Sequence, residues 1–127
     1  MNALRTTLLS LSLGLALPAQ ATPSTPTGAI SVAQVVDLIQ RSPKDNAAQN
    51  AAMAYLAGVG EATGLLVAEA GRRASVSITC ARPLGISSTA ALAALSRADK
   101  GTWARTAATP ILVEDMLSRA GCVQGTF

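Results

Sequence analysis

The sequence predicts an all-α fold, a small bundle of about four helices closed by one disulfide, and three observations carry that reading. Apolar residues recur at helical spacing in several separate stretches. Those stretches open on capping residues and end at proline or glycine signals. The only two cysteines, Cys80 and Cys122, bracket the last two of them.

The chain begins MNALRTTLLSLSLGLALPAQA, with a positive charge at Arg5, an apolar run over residues 8–17, Pro18, and small residues at Ala19 and Ala21. This pattern predicts a secretory signal peptide over residues 1–21, cleaved after Ala21. A run of that length is too short to span a bilayer, and no later segment is expected to do so, so no membrane is expected after cleavage. Residues 22–30 are rich in proline and threonine and predict a flexible leader, followed by a helical domain over residues 31–127.

Ser31 is placed to cap a first helix, SVAQVVDLIQ, with Val32, Val35, Val36 and Ile39 on one face, ended by Arg41-Ser42-Pro43. Asp45 or Asn46 opens a long second helix, NAAQNAAMAYLAGVGEATGLLVAEAG, running to Gly71. Gly58, Gly60 and Gly64 interrupt it, and predict close approach of another helix, with a bend as the alternative. The stretch GRRASVSITCARPLGIS reads mainly as an ordered loop; Val76 and Ile78 alternate with polar residues, but no partner strand is apparent. Ser87 or Ser88 caps a third helix, STAALAALSRA, with Leu92 and Leu95 inward, broken at Asp99-Lys100-Gly101. The last helix is drawn from Thr109-Pro110, with Leu112, Val113, Met116, Leu117 and Ala120 buried and Gly121 as its left-handed stop.

Composition removes several function classes. Ten basic residues against seven acidic give a net charge of +3, and Arg5 leaves with the signal. That scattered excess, with one residue each of Trp, Tyr and Phe, offers neither a basic track nor a stacking platform for nucleic acid. Histidine is absent, so a catalytic Cys–His pair has no base and a zinc site lacks its usual ligands. Two cysteines in a small exported domain are therefore read as a structural bridge. Glu114 and Asp115 are adjacent and point in different directions around a helix. No catalytic residue, cofactor or metal is expected, and the chain is read as a binding protein rather than an enzyme.

The Ala/Gly-rich helix with AYLAGVGEA, the first cysteine in CARPLGIS and the ending LVEDMLSRAGC together resemble the Rap1a/Tai family of immunity proteins, over residues 32–122. The chain departs from the family pattern at Gly121, where proline is usual, and at Pro83, which lies further from the cysteine. The resemblance implies a periplasmic protein whose partner is a cognate peptidoglycan amidase effector delivered by type VI secretion. It also implies a homodimer, for which the face around Gly60 and Gly64 is the candidate. The side chains singled out for partner binding are Arg72, Arg73, Arg82 and Arg105, because guanidinium groups suit bidentate pairing with carboxylates. A stress-protective or holdase-like helical module is the alternative reading.

Overall fold

The computed structural model describes residues 24–73 and 76–126. The expected signal peptide and its cleavage point lie outside the described residues. Four helices form the body: α1 (Val32–Arg41), α2 (Asn46–Arg73), α3 (Ser88–Leu95) and α4 (Ala108–Ala120). Two short strands, β1 (Val76–Cys80) and β2 (Cys122–Thr126), make an antiparallel pair.

Ser31 starts α1 through a capping box. Its hydroxyl accepts the Gln34 N–H at 3.1 Å, and Gln34 Oε1 accepts the Ser31 N–H at 2.9 Å, so two otherwise orphaned donors are satisfied reciprocally. The predicted face of Val32, Val35, Val36 and Ile39 is buried. Upstream, the expected flexible leader is a closed turn from Thr25 onward. The Thr25 N–H donates to the Ala29 carbonyl at 3.0 Å, its hydroxyl accepts the Ala29 N–H, and Gly28 takes the left-handed φ of +78° that the turn requires.

Asp45 opens α2 by accepting the N–H groups of Ala47 and Ala48 at 2.9 and 3.1 Å. The Ala48 bond, joined by the Ala47 bond and by attraction to Arg41, holds the Asp45 carboxyl below its ordinary pKa against the opposing effect of desolvation. The helix then runs 28 residues without interruption. Its glycines do not seat another helix: a Cβ at Gly58 or Gly64 would meet nothing within 4 Å, and one at Gly60 would meet only Gly85 Cα of the following loop, at 3.9 Å. Among the described residues α2 is also long and apolar enough to cross a membrane, which corrects the expectation of no such segment. Its alanines, leucines and valines bring the mean hydropathy of one window to 1.4, and only 22% of that window is buried by the rest of the chain.

Ala48, Ala52, Leu56, Val59 and Thr63 are the side of α2 that enters the core, against α1, Ala91, Ala94 and Leu95 of α3, and Ala108, Leu112 and Met116 of α4. Burying each large apolar side chain contributes about 1.5–3 kcal/mol. Ser87 caps α3, accepting the Ala90 N–H at 3.2 Å. Leu95 is fully buried, and Leu92 only half-buried. Trp103, after a short 3-10 turn at Lys100–Thr102, packs against the core and donates its indole N–H to the Ala98 carbonyl at 3.1 Å.

The last helix begins at Ala108, so Pro110 sits in its third position, where a missing N–H costs nothing. Its N-cap Ala107 has no side chain to bond; the Ile30 carbonyl accepts the Ala108 N–H at 3.0 Å instead. The Val32 N–H returns the favour to the Thr106 carbonyl at 2.9 Å, so one segment closes the starts of both α1 and α4. At the other end Gly121 has φ +64°, the left-handed stop the sequence predicts.

The loop expected around Cys80 is a strand over Val76–Cys80, and its missing partner is the chain terminus. Thr79 faces Val123 and Cys80 faces Cys122 across the ladder. The disulfide joins that last pair. Gly125 lies opposite Ser77, where a Cβ would come 2.9 Å from the serine hydroxyl, so a larger residue there would have to turn that hydroxyl aside.

Candidate binding surface

The four arginines singled out from the sequence do not form one patch of equal groups. Arg72 and Arg73 end α2 and both reach back to Glu69, so two guanidinium groups share one carboxylate. They remain largely exposed, with side chains at 73% and 81%. Basic residues in the last turn of a helix also suit its negative end. Arg82 follows the bridge; its backbone N–H donates to the Ala120 carbonyl at 3.0 Å, while its exposed side chain has no ion-pair partner among the described residues. Arg105 is likewise exposed and unpaired among the described residues, but belongs to the turn before α4.

What holds Arg82 in place is the loop over residues 81–87. At its start the Cys80–Cys122 bridge and the Arg82 to Ala120 hydrogen bond fix it to the end of α4. At its finish Ser87 is committed to capping α3. Leu84 and Ile86 pack from it against the core. On its two sides lie a mostly apolar groove of about 470 Å³, lined by Met53, Leu56, Gly60, Leu84 and Ile86 among others, and a smaller cleft of about 220 Å³ where Arg82 meets Arg119.

Arg119 belongs to a junction that the sequence reading passes over. Asp115 is buried, its side chain only 9% exposed, and accepts Arg97 Nη2 at 2.9 Å and Arg119 Nε at 2.6 Å. Burial alone would raise the Asp115 pKa, but the hydrogen bonds from Arg119 and Arg97 outweigh it and hold the carboxyl below its ordinary value. The Asp115–Arg119 half is visible in the sequence as an i, i+4 acid–base pair. Arg97 lies in the turn after α3 and shows no such spacing. Arg97 and Arg119 therefore share one carboxylate, and Arg82 lines the smaller cleft with Arg119, which leaves a local excess of positive charge.

A third, apolar groove of about 330 Å³ lies between α2 and α4, beside the hydrogen bond between the hydroxyls of Tyr55 and Thr109 at 2.9 Å. Its walls include Gly58, Ala62, Leu66 and Val113. Among the described residues no group of three or more acidic or cysteine side chains converges as metal ligands would.

No family model matches the chain, and no curated protein or solved structure does either.

Proposed function

We propose that the chain is an exported immunity-type binding protein that neutralises a peptidoglycan-cutting amidase by occluding its cleft. The loop over residues 81–87 is the element that enters, and Arg82 is its leading side chain. One observation carries this reading: an arginine with no carboxylate of its own among the described residues is mounted on a loop fastened at both ends. Such a loop loses little conformational freedom on binding, so its guanidinium delivers more of its pairing energy to a partner's carboxylate. Arg72 and Arg73 supply peripheral charge that steers the encounter.

The experiment is rescue. Co-expression of the exported chain with periplasm-directed amidases encoded beside it is expected to restore growth against one of them. Arg82→Asp is expected to abolish that rescue, and the Arg72→Asp/Arg73→Asp double variant to weaken it, with the helical circular dichroism of each unchanged. Rescue that survives Arg82→Asp removes the loop from the mechanism; no rescue from any of them removes the function.

Exposed Met53, Leu65 and Leu66 favour a second reading, a holdase-like module that shelters unfolded clients. Affinity capture from the periplasm separates the two. A single folded hydrolase recovered in stoichiometric amount supports the immunity reading, whereas many clients in trace amounts support the holdase.

A further inference from the structure

The smaller cleft, of about 220 Å³, brings two guanidinium groups together with no acid among its walls. Its lining is Arg82, Pro83, Gly85, Met116, Arg119 and Ala120, so every charge on it is positive. Asp115 does not neutralise the pair. One of its oxygens accepts Arg97 and the other accepts Arg119 Nε, and its side chain is only 9% exposed. Glu61 lines the larger groove and not this cleft. Arg82 is left with no counter-charge among the described residues, and both Nη nitrogens of Arg119 are without an acceptor there.

Both arginines are held from behind. Arg119 stands in the last turn of α4, tethered through Nε to the buried carboxylate at 2.6 Å. Arg82 follows the Cys80–Cys122 bridge, and its backbone N–H is fixed to the Ala120 carbonyl at 3.0 Å. Like charges on one small concavity repel, and a bound anion turns that repulsion into two attractions. A lone carboxylate brings one charge and fills one guanidinium fork. Two forks call for a compact group with two charges and several acceptor oxygens. A phosphate monoester supplies both, carrying close to two negative charges at neutral pH on three strong acceptor oxygens. At roughly 30 Å³ per water the cleft has room for about seven waters, enough for the phosphate and a short organic tail beside Pro83 and Met116. A nucleic acid backbone is a poorer fit, because it is gripped through many phosphates along a basic track.

We propose that the cleft between Arg82 and Arg119 is a binding site for a phosphate monoester dianion. The ester is either a free small molecule or the headgroup of a monoester phospholipid, and the cleft recognises the chemistry the two share. This site goes beyond the immunity reading and stands without it; where both hold, the ester and the amidase compete for Arg82.

The test is an NMR titration of the isotope-labelled chain, as the cell processes it, with glycerol phosphate at constant ionic strength. The Nε–H signals of Arg82 and Arg119 and the Gly85 amide are expected to shift together and saturate, with a dissociation constant below about 1 mM. Arg82→Gln and Arg119→Gln each raise that constant about tenfold or more, the loss of one charged hydrogen-bonding group. Arg97→Gln breaks the other half of the Asp115 junction without touching the cleft lining, and stays within about threefold of the parent. It separates the direct role of Arg119 from a structural one. Arg105→Gln, which removes another exposed and unpaired arginine, also leaves the constant near that of the parent. Dimethyl phosphate, with a single charge, binds about tenfold more weakly. Shifts that never saturate overturn the proposal, as does an Arg105→Gln loss equal to that of Arg82→Gln or an Arg119→Gln variant that binds like the parent. Sedimentation with vesicles containing phosphatidic acid distinguishes the sources. Binding to them that Arg82→Gln abolishes places the ester on a lipid, and vesicles left unbound while glycerol phosphate binds place it among soluble esters. No amidase enters these measurements, so their failure leaves the rescue experiment untouched, and failure of rescue leaves this site standing.

Discussion

The first half of α2 and the second half differ in what holds them. From Asn46 to Thr63 the helix places five residues in the core; from Gly64 it contributes none and leads directly into the strand pair. The body formed by α1, α3, α4 and the first half of α2 is maintained by apolar burial. The outer unit of α2's end, β1 and β2 has little to bury, Val123 being 64% exposed, and a two-stranded ladder alone is marginal in water. The bridge replaces the missing core. The difference teaches that in a domain this small a covalent tie does at one end what packing does at the other.

Replacing both cysteines by serine should have the largest effect, a loss of about 4 kcal/mol from loop-closure entropy, read as a lower urea midpoint. Leu112→Ala, at a fully buried position of the body, should cost about 3 kcal/mol, whereas Leu65→Ala in the outer half should stay within about 0.5 kcal/mol of the parent. Equal losses at the two leucines would erase the comparison. Asp115→Ala should cost about 1–3 kcal/mol, because it removes two charged hydrogen bonds from a buried site while both arginines can turn to solvent. The Asp115 pKa is lowered in the folded chain, so its contribution is complete above the unfolded value near 3.9 and is lost as pH falls through the lower folded value. Asp115→Asn should therefore flatten the decline of the melting temperature in acid. Gly58→Ala and Gly64→Ala should each stabilise by roughly 0.5–1 kcal/mol, since both lie in uninterrupted helix with open space at the Cβ position.

The body was legible in the sequence because its signals are local. Ser31, Asp45 and Ser87 cap where expected, Val32 to Ile39 bury one face, and Gly121 stops α4 with positive φ. The outer unit was not legible, because β2 reads CVQGT, with no apolar alternation to announce a strand and a partner forty-two residues away. Only the cysteine spacing links the two strands. The glycines of α2 misled for a related reason: helical spacing says which residues share a face but not whether that face is covered. Of the candidate surface, residue type brought out Arg82, while the Arg97–Asp115–Arg119 junction depends on the crossing of α3 and α4 and carries no sequence signal beyond the Asp115–Arg119 pair.

The division of labour between burial and bridge is tested most directly by hydrogen exchange on the chain with its disulfide intact and after reduction and alkylation. With the bridge, the ladder amides of β1 and β2 should be protected alongside those of the helices. Without it, β1 and β2 should exchange as freely as open chain while α1, α3 and the first half of α2 keep their protection. Strand amides that stay protected with both thiols blocked, or helices that lose protection together with the strands, would contradict the account.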